Sequence, residues 1–228
     1  MNQKATPQAV VVVFMGDSIT AGQYVDPSVR WTTLVGDAIV REYLPTPVNF
    51  NMLTRGVSGE TTRQGLERFP NDVQQYRPDI VTLQFGLNDC NCWVSDGGLP
   101  RVSEAAYRAN LIEMIDRAQR FGACIILSTN HGTLRHKVLL SGESLEQRRR
   151  RYNDIVREVA APSGAELCDI EQAFAAFDER ELAEMLLPYP DQLHLSVAGH
   201  RHYANYIQPR IMRAVANLVG AEVTLAQK

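Results

Sequence analysis

The stretch Ala9-Val10-Val11-Val12-Val13-Phe14-Met15-Gly16-Asp17-Ser18-Ile19-Thr20 decides the fold. Val10 to Phe14 is a continuous β-branched run without polar alternation, the signature of a strand covered on both faces in a parallel sheet. The run passes directly into Gly16-Asp17-Ser18 and not into a small-residue cleavage site, so it reads as a core strand and not as a signal peptide. Similar apolar runs recur at Val48 to Leu53, Ile80 to Phe85, Cys124 to Ser128 and Ala165 to Cys168.

Segments with helical periodicity separate these runs. After Ser103, a fitting N-cap, Tyr107, Leu111, Met114, Ile115 and Ala118 share one helical face. Ser144-Leu145-Glu146-Gln147 has the form of a capping box and opens a helix whose apolar face is Tyr152, Ile155, Val156 and Val159. Within that helix, Arg148 to Arg151 read as a solvated face with a Glu146–Arg150 pair. A last helix, capped by Ser196, carries the stripe Tyr203, Ala204, Ile207, Ile211, Ala214, Val215 and Leu218, with a kink or interruption expected at Pro209. Strands alternating with helices predict an α/β, doubly wound sandwich with right-handed crossovers, and five strands suggest the flavodoxin-like order of a parallel five-stranded sheet.

Bulk properties narrow the partners. At 228 residues with 45% hydrophobic content, the chain suits one domain spanning residues 1–228. A formal charge of -3 gives no basic field to draw it onto nucleic acid or an anionic membrane, which points to a small-molecule partner. No apolar stretch reaches the roughly 20 residues of a membrane-spanning helix, and a cytoplasmic location is the expectation. The four cysteines, Cys90, Cys92, Cys124 and Cys168, read as free thiols. Cys90-Asn91-Cys92 lacks the spacer of a zinc or redox motif, so no metal is assigned.

In a doubly wound sheet, ligands bind beyond the carboxyl ends of the strands. Gly16-Asp17-Ser18, Gly56-Val57-Ser58-Gly59 and Gly86-Leu87-Asn88-Asp89 follow the first three runs, and Asp191-Gln192-Leu193-His194 precedes the last helix. Each motif alone is compatible with an ordinary turn or cap. As a set they supply a serine, a histidine to activate it and an aspartate to orient the histidine. Asp191 and His194 lie three apart, so a local turn brings the carboxylate to Nδ1 and leaves Nε2 for Ser18. The backbone N–H groups of Ser18 and Gly59, with the Asn88 amide, are candidate oxyanion donors.

Taken together, these residues resemble the SGNH (GDSL-like) hydrolase superfamily. Its four blocks are an early Gly-Asp-Ser, a glycine, Gly-x-Asn-Asp and a late Asp-x-x-His, and all occur here in order between residues 16 and 194. The resemblance implies a three-layer α/β/α fold and cofactor-free hydrolysis of esters or thioesters. It implies Ser18 as nucleophile and first oxyanion donor, Gly59 and Asn88 as the other donors, His194 as base and Asp191 as its orienter. One departure is Thr54, where many relatives carry asparagine five residues before the oxyanion glycine.

The stretch Cys90 to Val102, rich in turn residues, is a candidate pocket wall or lid. Trp93 within it is either a stacking surface for substrate or an anchor for the loop. Asn130 and His131, following the fourth run, are further candidate substrate contacts. His200 and His202 are two apart on a helix and so diverge, unlike a zinc-binding i, i+4 pair. These surroundings favour a small acyl group on a polar carrier such as a carbohydrate. Thioesterase, lysophospholipase and acyltransferase use the same machinery, and a ligand-binding module without turnover is the alternative of another class.

Overall fold

A computed structural model describes residues 9–220. Strands β1 (Ala9–Gly16), β2 (Asn49–Gly56), β3 (Ile80–Gln84), β4 (Cys124–Ser128) and β5 (Glu166–Cys168) alternate with helices α1 (Ser18–Ala21), α2 (Trp31–Tyr43), α3 (Thr62–Asp72), α4 (Glu104–Gln119) and α5 (Leu145–Ser163). Helices α6 (Ile170–Phe174), α7 (Glu179–Met185) and α8 (Val197–Val219) follow β5. All strand pairings are parallel, in the order β2-β1-β3-β4-β5. This is the doubly wound, flavodoxin-like α/β order, with its topological switch between β1 and β3.

The unbroken apolar run of β1 is explained by what covers it. Val10, Val12 and Phe14 pack on one face with Trp31 and Ile39 of α2 and Tyr203, Ile207 and Ile211 of α8. Val13 and Met15 pack on the other with Phe69 of α3, Leu111 and Met114 of α4, and Val156 of α5. Successive side chains alternate between two buried layers, and a polar residue in either register would lose its water without replacement.

The ends of β1 and β2 are glycines because α1 packs against them. A Cβ on Gly16 would stand 2.2 Å from Thr20 Oγ1, and one on Gly56 would stand 2.2 Å from the Ala21 backbone nitrogen. Glycine is what lets this first turn sit directly on the strand ends.

Three expectations are corrected. β2 runs to Gly56, beyond Leu53, because β1 pairs with it as far as Gly16–Gly56. α8 continues through Pro209 without interruption; its closely packed face outweighs the one donor that proline removes. Arg148 and Arg149 are not solvated. They lie three and four residues after Leu145 and four before Tyr152 and Asn153, which turns them onto the buried face. Their charges are matched there: Arg148 pairs with Glu143 at 2.5 Å and donates to the Gly98 carbonyl, and Arg149 pairs with Glu146 and Glu171 and donates to the Asn130 carbonyl. Arg150 and Arg151 are exposed as expected, Arg150 lying 3.6 Å from Glu146 and Arg151 pairing with Glu104 and Glu143. All four cysteines are free.

Candidate active site

The site stands at the carboxyl edge of the sheet, beside the switch point. Asp17 caps α1 by accepting the Ile19 N–H at 2.9 Å, which fixes Ser18 as the first helical residue. The Ser18 N–H therefore has no intrahelical acceptor. After β3, Asn88 donates through Nδ2 to the Glu60 carbonyl at 3.0 Å, tying its amide to the turn that carries Gly59. Gly59 holds φ +79, and a side chain there would be strained. Ser18, Gly59 and Asn88 line one pocket with His194, Leu87, Cys90 and Leu145.

His194 approaches from the segment between α7 and α8. The Asp191 carboxylate accepts from Nδ1–H of the ring at 2.8 Å, and the Ser18 hydroxyl lies 3.0 Å from Nε2. A carboxylate only accepts, so the proton belongs on Nδ1 and the lone pair on Nε2 faces the serine. Asp191 Oδ1 accepts the backbone N–H groups of Leu193 at 3.0 Å and His194 at 2.7 Å. Burial pushes this carboxyl up, but those donors and the His194 ring together hold it below the ordinary carboxylate range.

Asp17 and Asp89 behave oppositely. Burial raises the Asp17 carboxyl from 3.8 to about 7, the nearby Asp89 adding to the effect. Asp89 is itself raised to about 6 by burial, although it accepts from the Thr62 N–H and hydroxyl. Both act as struts: Asp17 holds the nucleophile's turn, and Asp89 holds the start of α3. The Cys90 thiol in the pocket wall is pushed by burial to about 12, which keeps it neutral and uncompetitive as a nucleophile.

The three expected substrate contacts are placed elsewhere. The Asn130 side chain is buried, accepting from Gln84 Nε2 at 2.8 Å and donating to the Phe85 carbonyl at 2.8 Å. His131 is equally buried; its Nε2–H donates to the Leu193 carbonyl at 2.8 Å, and burial lowers it to about 4, so it is neutral. Following a strand put both residues at the correct edge, but their side chains turn inward. Trp93 lies outside the catalytic pocket with the Arg101 guanidinium 4.4 Å above its ring. The 90–102 stretch still forms a pocket wall, through Cys90 and Asn91. Of the late histidines, His200 Nδ1 accepts from the Trp31 N–H and the His202 ring donates to the Ala173 carbonyl.

Three further residues reach the site without a motif that marks them. Arg135 Nη2 donates to Asp191 Oδ2 at 3.1 Å, and its Nε donates to the Asp191 carbonyl. Tyr24 meets the His194 ring edge-on at 5.2 Å. Arg149 reaches the pocket from α5. The length of the 129–144 connection, at the same sheet edge, was the one available hint for Arg135.

The model of the GDSL-like lipase/acylhydrolase family matches residues 14–202. Lipoprotein YqeF of Bacillus subtilis is 27% identical over 214 residues, covering 83% of this chain and 84% of that one. An acetylxylan esterase of Geobacillus stearothermophilus is 27% identical over 164 residues, 67% of this chain and 68% of its own. The crystal structure of a lipase/acylhydrolase from Enterococcus faecalis superposes with a TM-score of 0.70 at 26% identity, covering 90% of this chain and 96% of the other.

Proposed function

Since the chain belongs to the GDSL-like lipase/acylhydrolase family and is a carboxylic ester hydrolase, we propose that it cleaves short acyl groups from a polar carrier through an acyl-enzyme on Ser18. The observation that carries this reading is the unbroken line from Ser18 Oγ to His194 Nε2 at 3.0 Å and from Nδ1 to Asp191 at 2.8 Å, opening into a pocket.

Each step then has a group in position. Ser18 Oγ attacks the ester carbonyl carbon as its proton passes to His194 Nε2, and Asp191 stabilises the resulting imidazolium. The carbonyl oxygen becomes an oxyanion within reach of the Ser18 and Gly59 N–H groups and the second hydrogen of Asn88 Nδ2. Collapse breaks the bond to the alcohol oxygen, which takes the proton from His194. Water, deprotonated by the same nitrogen, attacks the acyl-serine and frees the acid. No step calls for a cofactor.

The volume of the pocket supports a short acyl group. The catalytic pocket encloses about 120 Å³, less than the roughly 150 Å³ that accommodates a benzene molecule. An acetyl group fits inside; an octanoyl chain has to run outside. A second reading, toward long acyl chains as in thioesterases and lysophospholipases, rests on the exposed apolar surface of Trp93, Val94, Val138 and Leu140 on the neighbouring loops.

The test is hydrolysis of p-nitrophenyl acetate, butyrate and octanoate by the protein and by Ser18→Ala. A loss on the order of 10³-fold or more in the variant, with acetate the fastest substrate, is expected. Equal activity in both proteins refutes Ser18 as nucleophile, and fastest turnover of octanoate selects the second reading.

A further inference from the structure

In the mechanism above, His194 Nε2 must hand its proton to the departing alcohol, so the carrier has to lie beside the His194 ring. An open groove of about 460 Å³, lined by Tyr24, Arg135, Leu187, Pro188, Tyr189, Pro190 and Asp191, reaches that ring through Tyr24, which meets it at 5.2 Å. Arg135 lines both this groove and the catalytic pocket, so the two adjoin at its side chain.

Tyr189 is 83% exposed and Tyr24 69% exposed, far more than aromatics that serve packing. Tyr24 is held at φ +71, a backbone region that bulky side chains avoid, and this conformation sets its ring against His194. Two phenol faces offer stacking to the C–H face of a saturated ring, and the hydroxyls and the guanidinium offer hydrogen bonds at its rim. Arg135 is already paired with Asp191, so it brings N–H donors without an uncompensated positive charge. A neutral polyhydroxylated ring satisfies this lining; an anion finds no free cation, and an alkyl chain wastes the donors.

We propose that the Tyr24–Tyr189 groove is the carrier subsite and that it takes the sugar ring of an acylated carbohydrate. This rests on the serine-hydrolase reading and adds to it which residues hold the leaving group. The acyl group then lies toward Leu87, Cys90 and Leu145, and the sugar lies across the tyrosines, with the scissile bond between them at Ser18.

Two measurements separate this proposal from the reading beneath it. The first needs no turnover: saturation-transfer NMR and calorimetric titration of xylobiose into Ser18→Ala protein. Binding with transfer to ring C–H protons, weakened at least five-fold by adding Tyr189→Ala, is expected. Absent binding, or binding indifferent to Tyr189→Ala, overturns the proposal. The second is the ratio of kcat/KM for an O-acetylated methyl xyloside to that for trifluoroethyl acetate, whose leaving group is too small to span the groove. Tyr189→Ala and Tyr24→Asn, the latter chosen because asparagine tolerates positive φ, should each lower this ratio about ten-fold; an unchanged ratio overturns the subsite even if both esters are cleaved. If neither ester is cleaved and a fluorophosphonate leaves Ser18 unlabelled, the hydrolase reading fails, while the xylobiose titration still decides the groove.

Discussion

Ser18 and His194 sit 3.0 Å apart, yet the chain holds them by different means. Ser18 stands at the end of β1, the strand buried on both faces, with its turn capped by Asp17 and its helix resting on strand ends. His194 sits in a segment outside any long element. That segment is closed by the Leu186–Leu195 bridge, the Leu187 N–H on the His194 carbonyl at 2.7 Å and the Ser196 N–H on the Met185 carbonyl at 2.9 Å. It is fastened to the body by residues 131–135: His131 to the Leu193 carbonyl, the Leu134 N–H to the Gln192 carbonyl at 3.0 Å, and Arg135 to Asp191. The nucleophile is fixed by the core, whereas the base is fixed by a clip between two loops.

The largest expected effect breaks the comparison at its centre. His194→Ala removes the base from an otherwise intact nucleophile half, and acetyl-ester kcat should fall on the order of 10³-fold or more. A loss under ten-fold would mean that another group takes the Ser18 proton. Asn88→Ala, wholly within the nucleophile half, should cost about 10²–10³ in kcat, as loss of one oxyanion donor does. Because Asn88 also holds the Glu60 carbonyl, its kcat should fall with KM little changed; a rise in KM alone would make it a binding contact.

The same contrast explains what the sequence disclosed. β1 was legible because burial on both faces leaves a continuous apolar run, and Ser18, Asn88, Asp191 and His194 were legible because their chemistry demands particular residue types next to strand ends. The clip was not legible. His131 and Leu134 act on backbone carbonyls of Leu193 and Gln192, which any residue presents, so no pattern of side chains marks the contact. Asn130 shows the converse failure: position after a strand says that a residue is at the edge, but not whether its side chain faces the pocket or, as here, Gln84. The arginine run misled because four charges in sequence conceal that a helix must turn two of them inward, where Glu143, Glu146 and Glu171 neutralise them.

Titration sharpens the comparison from the nucleophile side. Asp17 is raised from 3.8 to about 7 in the folded protein, so the fold binds a proton that the unfolded chain releases at lower pH. Its contribution is fully present below about pH 4 and is lost as pH rises through about 7. The melting temperature should therefore decline between pH 5 and pH 8, and Asp17→Asn, which keeps an oxygen for the Ile19 N–H, should flatten the decline. An equally steep decline in the variant would place the titration elsewhere, Asp89 being next, since its own raised value near 6 has the same sign.

The smallest expected effect tests the clip itself. Arg135 bonds both the carboxylate and the carbonyl of Asp191, so it holds the orienter of the base; but its side chain is 37% exposed, and solvent weakens what the charge contributes. Discounted to the range of exposed pairs, about 0.2–1 kcal/mol, Arg135→Met should reduce kcat for trifluoroethyl acetate by about 1.4- to 5-fold. Arg135→Lys keeps the charge and loses the two-point grip, so a fall equal to that of methionine would identify geometry, not charge, as what Arg135 supplies. Full activity in both variants would show that the backbone donors of Leu193 and His194 hold Asp191 unaided, and would reduce the clip to His131 and Leu134. Hydrogen exchange in the wild-type protein reads the same question without mutation. The Leu187 and Ser196 amides should exchange through local opening well before those of Val13 and Leu83, and equal protection would mean that the base half is as firmly built as the strand that carries the nucleophile.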